Sequence, residues 1–131
     1  MHRIYPYFLA LIAGFFLCFA PVSSVSAQNG VPLVGIAEAQ QLKDSGKNVL
    51  FLDVRTQAEY NAGHIDGALL IPLDQLPSRY AEVPKDQDVI VYCRSGRRSA
   101  EAVALLQDKG YTRVKGLDGG FLAWEQSTPK P

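Results

Sequence analysis

Residues 89–106, which read VIVYCRSGRRSAEAVALL, pass from an apolar run through a short basic loop into a helical pattern. The run that ends at Cys93 is almost continuously apolar, which is typical of a strand buried on both faces of a parallel sheet. Residues 99–110 have the amphipathic spacing of a helix, with Gly110 as its C-terminal stop. A buried strand joined to a helix by five or six residues predicts an α/β fold, with this loop at the carboxyl edge of the sheet.

Strands and helices alternate along the rest of the chain. Further strands are predicted at 49–54, 67–73 and 111–117, and further helices at 36–46, 56–63 and 119–127. This order predicts a small, mostly parallel sheet with helices on both faces. Ligands of open parallel sheets bind beyond the carboxyl ends of the strands, so the candidate functional loops follow Asp53, Ile71 and Tyr92.

The N-terminus has the pattern of a secretory signal peptide, which we assign to residues 1–27. Arg3 precedes an apolar run over residues 8–20, and small residues favour cleavage after Ala27. An uncleaved membrane anchor is the alternative, because residues 4–22 are just long enough to span a bilayer. Cleavage predicts an exported protein that has no further association with the membrane.

The mature chain has the size of a single small domain. Removing residues 1–27 of the 131 leaves 104, which is enough for one core. We assign residues 28–32 to a short tether, 33–126 to the domain and 127–131 to a tail. Loss of Arg3 leaves 12 basic and 13 acidic residues, and this balance argues against a nucleic-acid-binding protein, which normally carries a basic excess.

Cys93 is the only cysteine that remains after signal cleavage, because Cys18 lies in the removed segment. Exported domains usually use cysteines in pairs, as disulfides, and a single cysteine cannot form an internal one. Cys93 is therefore a buried bystander, an intermolecular linker or a reactive thiol.

The loop around Cys93 favours the reactive thiol. Gly96 permits backbone conformations in which several N–H groups point inward, and the helix that follows contributes its own unpaired N–H groups. Ser99 can cap this helix or offer its hydroxyl to the site. Three arginines add positive charge: Arg94, Arg97 and Arg98. These features lower the pKa of a thiol and attract an anion, whereas the alternative is a solvated basic patch.

Three segments together resemble a rhodanese homology domain. They are FLDVRTQAEYNAGHIDGALLIPL at 51–73, the stretch at 89–106 and LDGGFLAWEQ at 117–126. The resemblance covers residues 33–126 and is strongest to single-domain rhodaneses exported to the bacterial periplasm. Asp66 departs from the pattern, since many relatives have proline there.

The resemblance implies a rhodanese-like α/β fold and a periplasmic sulfurtransferase. In such enzymes the loop cysteine, here Cys93, attacks the outer sulfur of thiosulfate, sulfite leaves, and a persulfide remains. A thiophilic acceptor, cyanide or a thiol, then takes the sulfur in a second half-reaction. The resemblance implies neither metal nor organic cofactor, and we expect a monomer. The residues matched to the substrate cradle are Arg94, Ser95, Gly96, Arg97, Arg98 and Ser99.

Three other functions remain as alternatives. The first is a persulfide carrier that receives sulfur from a partner protein and turns over little thiosulfate. A thiol redox enzyme is disfavoured because no second cysteine is available to resolve a disulfide. A phosphatase is disfavoured because related phosphatases use a Cys-x5-Arg loop, whereas four residues separate Cys93 from Arg98.

Structural roles are expected for five further residues. His64 is expected to bond backbone groups within its turn rather than act as a base. Asp53 and Arg55 leave a strand at the edge that holds Cys93, where an ion pair between them would order the loop region. Phe121 and Trp124 have helical spacing and are expected to anchor the last helix to the core.

Overall fold

The computed structural model describes residues 27–28 and 30–129. Its strands are β1 (Ala27–Gln28), β2 (Val31–Val34), β3 (Val49–Asp53), β4 (Leu69–Leu70), β5 (Asp88–Tyr92) and β6 (Val114–Leu117). Its helices are α1 (Ile36–Asp44), α2 (Gln57–Ala62), α3 (Leu76–Arg79), α4 (Arg97–Asp108) and α5 (Gly120–Ser127), and a 3₁₀ turn covers Tyr80–Glu82. Residues 1–26 of the predicted signal peptide lie outside the described residues. None of the described helices combines the length and apolarity that a bilayer span needs.

The strands form one sheet in the order β1-β2-β6-β5-β3-β4. The five strands from β2 to β4 in this order are parallel, and β1 pairs antiparallel with β2 at the edge. The predicted α/β fold with a mostly parallel sheet is therefore confirmed. Since β5 lies between β3 and β6, Cys93 follows the central strand at the carboxyl edge of the sheet.

Alternation along β5 divides the core between the two faces of the sheet. Val89, Val91 and Cys93 belong to the cluster that also contains the buried face of α4. Ile90 and Tyr92 belong to the opposite cluster, against which parts of α1 and α5 pack. Each fully buried aliphatic side chain contributes about 1.5–3 kcal/mol to the stability of the fold. A one-residue slip of β5 would move each of its side chains to the opposite face of the sheet, so this packing fixes the register that places Cys93.

Sequence analysis missed strand β2. Its residues pair with β6 through Leu33 and Val34, and Val31 and Pro32, which we had assigned to the tether, lie in the strand. The local sequence pattern indicates a strand only weakly, because the strand has four residues and contains a proline, which is uncommon in paired strands. Pairing with the distant β6 supplies the stabilisation that the local sequence lacks.

Candidate active site

The loop that carries Cys93 is shorter than the sequence indicated. Strand β5 ends at Tyr92 and α4 begins at Arg97, so α4 starts one or two residues earlier than expected. Gly96 precedes the helix with φ 123°, a conformation that residues with a side chain rarely adopt. This glycine turns the chain from the strand into the helix within four residues.

Backbone amides surround the sulfur of Cys93. The thiol is free and buried, with the residue 1% exposed. The N–H of Gly96 lies 3.1 Å from Sγ and the N–H of Ser99 lies 3.4 Å from it. Burial raises the pKa of the Cys93 thiol, but the hydroxyl of Ser99 and the amides of Ser99, Gly96 and Ser95 outweigh it, and the pKa is lowered overall. This is the direction expected from the sequence, and it favours the nucleophilic thiolate.

Ser99 contacts the sulfur but does not cap the helix. Gly96 occupies the N-cap position, and no side chain caps α4. The hydroxyl of Ser99 donates to the carbonyl of Gly96 at 3.0 Å, and its oxygen lies 3.6 Å from the sulfur of Cys93. Of the two roles considered for Ser99, the structure has the one in which its hydroxyl faces the site.

The three loop arginines differ in their surroundings. Arg94 and Arg97 are exposed, and neither forms an ion pair within residues 27–28 and 30–129. Arg98 is partly buried, and its guanidinium donates to both carboxylate oxygens of Glu59 at 2.7 and 2.9 Å. Its charge is therefore already paired, and a substrate-binding role for Arg98 stays a prediction.

Glu59 is a site residue that sequence analysis missed. It stands three residues after Thr56, and the two form a capping box at the start of α2. This local role explains why the sequence gives no sign of a long-range contact, although Glu59 also binds Arg98 in α4. Hydrogen bonds from Arg98 lower the pKa of Glu59 from its usual 4.5 to about 2.

We expect Glu59→Gln to change the acid dependence of stability. Glutamine can still serve in the capping box, so the substitution removes mainly the charge. Because the pKa of Glu59 is lower in the folded chain, its pairing stabilises the fold above about pH 4.5, and this contribution is lost as the pH falls toward 2. Urea unfolding between pH 2 and 7 should show the variant less stable than wild type near neutrality. The difference should vanish near pH 2, and a constant difference over this range would contradict the assignment.

The expected ion pair between Asp53 and Arg55 is present and buried. The side chains are 0% and 5% exposed, and the guanidinium Nη2 lies 2.8 Å from Oδ2 of Asp53. Arg55 also donates to the carbonyl of Gly63 at 2.7 Å, and its guanidinium lies 4.3 Å from the centroid of the Phe121 ring. The pair thus ties β3 to the turn after α2 and to α5.

Structural roles for His64, Phe121 and Trp124 agree with their contacts. The His64 ring donates from Nδ1 to the carbonyl of Tyr60 at 2.9 Å and stacks on the Tyr60 ring at 3.7 Å between centroids. Phe121 and Trp124 pack against the core beside α1, where Trp124 meets Phe51 edge to face at 5.6 Å.

The sulfur of Cys93 lies apart from a surface cleft beside α5. A cleft of about 750 Å³ lies between α1 and α5, where Gln40, Phe121 and Trp124 contribute to its walls, and Cys93 is not among its lining residues. In the part of the chain that the structure describes, no group of three His, Cys, Asp or Glu side chains could hold a metal ion. The candidate site is therefore the amide cradle itself.

Comparisons with known proteins show the family to which the chain is similar. The sequence model of the family described as the rhodanese-like domain matches residues 36–127. A sulfurtransferase of Allochromatium vinosum is 49% identical over 86 residues, which cover 66% of this chain and 79% of that protein. The human thiosulfate:glutathione sulfurtransferase is 35% identical, over 72% of this chain and 94% of its own length. The solved structure of a human single-domain sulfurtransferase has a TM-score of 0.68 at 30% identity, and the match covers 76% of this chain and 100% of the human one.

Proposed function

The chain belongs to the rhodanese-like domain family, and from that membership we propose that it is an exported thiosulfate sulfurtransferase that works through a persulfide on Cys93. At the level of the family, the activity of its homologues is the transfer of sulfur. The observation that carries the finer proposal is the free, buried thiol of Cys93, which receives hydrogen bonds from the amides of Gly96 and Ser99.

The proposed reaction has two half-reactions. In the first, the thiolate of Cys93 attacks the outer sulfur of thiosulfate, a sulfur–sulfur bond forms, and the bond to the inner sulfur breaks with its electron pair leaving on sulfite. In the second, cyanide or a thiolate attacks the outer sulfur of the persulfide, and the Cys93 thiolate leaves. The amides that stabilise the thiolate are placed to stabilise the negative charge of the persulfide as well.

Two features support a small anionic donor. Cys93 is 1% exposed, so a compact molecule can reach its sulfur more easily than the side chain of a folded partner can. The name of the human relative, thiosulfate:glutathione sulfurtransferase, pairs a small donor with a small thiol acceptor. Both features favour direct thiosulfate turnover over the persulfide-carrier function.

Intact-mass spectrometry of the purified protein, before and after incubation with thiosulfate, tests the proposal. We expect a gain of one sulfur atom on Cys93, which cyanide removes as thiocyanate. The Cys93→Ala variant should gain nothing. If the mass stays unchanged with thiosulfate and rises only with a persulfide-loaded partner protein, the carrier function replaces the enzyme. Hydrolysis of a generic phosphate ester would instead support the phosphatase alternative.

We expect Arg98→Ala to lower kcat/KM for thiosulfate about tenfold or more, because a hydrogen bond from a charged group to the anion contributes about 1.5–3 kcal/mol. The matched variant is Glu59→Gln, which weakens the same ion pair but keeps the guanidinium near the loop. A loss confined to Arg98→Ala assigns the effect to the positive charge, whereas equal losses assign it to the ion pair. Unchanged thiosulfate kinetics in Arg98→Ala would remove Arg98 from the site.

Export and a monomeric state are parts of the same proposal. The pattern of residues 1–27 supports secretion into the periplasm, and cleavage after Ala27 makes Gln28 the first residue of the mature chain. The intact mass of protein recovered from the periplasm reports the cleavage site. Size-exclusion chromatography with light scattering reports the oligomeric state.

A further inference from the structure

The N-terminus of α5 contacts the backbone of the loop that carries Cys93. The first N–H groups of a helix have no partner within the helix, and no side chain caps α5. Two of them donate to the loop: the N–H of Phe121 to the carbonyl of Cys93 at 2.8 Å, and the N–H of Leu122 to the carbonyl of Arg94 at 3.1 Å. These donors are thus used to hold the backbone next to the reactive residue.

The contact with Arg94 sets the direction of the next amide in the loop. In a trans peptide group the C=O and the N–H point in opposite directions. When Leu122 holds the carbonyl of Arg94 toward α5, the N–H of Ser95 must therefore point away from α5. This peptide leads directly into the amides of Gly96 and Ser99, which donate to the sulfur of Cys93 at 3.1 and 3.4 Å.

Gly120 makes this close approach possible. A Cβ atom at this position would lie 2.5 Å from the carbonyl oxygen of Arg94 and 2.8 Å from that of Cys93, which is closer than real Cβ contacts. Its φ of 61° also lies in the left-handed region that favours glycine. Any side chain at position 120 would push α5 away from the loop.

We propose that the start of α5 is a positioning device for the reactive loop: Gly120 allows the approach, and the N–H of Leu122 fixes the Arg94–Ser95 peptide, so that the amides that follow it in the loop are held in place to donate to the sulfur. Leu122 is therefore a positioning residue that acts through its backbone. The inference rests on the proposed function only in taking Cys93 as the reactive residue.

The variants Leu122→Pro and Leu122→Ala test the backbone contact. Leu122 is 38% exposed and stands in the first turn of α5, where proline is tolerated, so proline removes the N–H while alanine keeps it. The readout is the pH dependence of the alkylation rate of Cys93 by iodoacetamide, which requires no thiosulfate. In Leu122→Pro we expect its midpoint to rise by about one pH unit, which is a tenfold change in the thiol ionisation constant. Leu122→Ala should match wild type.

Two results would overturn the proposal, and both are separate from a failure of the enzyme function. One is a folded Leu122→Pro variant with the wild-type alkylation profile, and the other is an equal shift in Leu122→Ala. If wild type is alkylated as expected but gains no sulfur from thiosulfate, the enzyme function fails and the positioning remains.

A measurement on wild type decides the question if Leu122→Pro does not fold. The amide NMR resonance of Leu122 should titrate with the midpoint of Cys93 ionisation, and this titration should disappear in Cys93→Ala. The amide of Ala123 is the internal control, because it donates to the carbonyl of Gly119 rather than to the loop. A Leu122 resonance that shifts no more than that of Ala123 would reject the coupling.

Discussion

We expect Cys93→Ala to lower the rate of sulfur transfer from thiosulfate by at least about a thousandfold, because no other described side chain can form the covalent intermediate. The fold should persist. Cys93 is a small buried side chain in an apolar cluster, so its replacement by alanine should cost about 1–2 kcal/mol at most. Thiocyanate formation and urea unfolding measure the two quantities separately.

Ser95→Ala is the matched control for this substitution. Ser95 is in the same loop, and alanine keeps its backbone amide while removing an exposed side chain. Transfer by this variant should stay within a few-fold of wild type. Substantial thiocyanate formation by Cys93→Ala, measured on protein with a normal unfolding transition, would refute the persulfide mechanism.

The second large effect concerns stability rather than chemistry. We expect Asp53→Ala to lower the free energy of unfolding by about 3–5 kcal/mol, because it leaves the guanidinium of Arg55 buried without its carboxylate. Small domains are stable by about 5–15 kcal/mol, so this is a large part of the total. Trp124, the only tryptophan, packs against Phe51 and reports unfolding by fluorescence.

Asp88→Ala provides the matched comparison. Asp88 pairs with Arg113 at 3.0 Å, but both side chains are about half exposed. Exposed pairs contribute at most about 1 kcal/mol, because water already stabilises the separated charges. Similar losses in the free energy of unfolding of the two variants would mean that the stabilising effect of Asp53 does not come from the burial of its charge pair.

The sequence predicted the central parts of the fold well. The continuous apolar runs predicted at 49–54 and up to Cys93 became the buried strands β3 and β5, and the helical pattern at 99–110 became α4. These predictions succeeded because the spacing of apolar residues and the backbone conformations open to glycine are local properties of the chain. Strand β2 was missed because its stability comes from pairing with β6, at the other end of the domain.

The candidate site was predicted in part. The sequence indicated a thiol with a lowered pKa beside backbone amides, and the structure has this arrangement around Cys93. It did not indicate that Arg98 is paired with Glu59 or that Leu122 holds the carbonyl of Arg94. Glu59 and Arg98 lie in different helices, and Leu122 is distant along the chain from Arg94.

The sequence alone determined the candidate for the reactive atom and the strand–loop–helix unit around it, because one cysteine and one glycine turn lie between a buried-strand pattern and a helical pattern. The tertiary structure decided which groups surround that unit. Glu59 is 39 residues from Arg98, and they meet only because packing on the sheet brings α2 beside the start of α4. Hydrogen bonds and ion pairs form over about 3 Å, so distant partners are selected by the packing that brings them within reach.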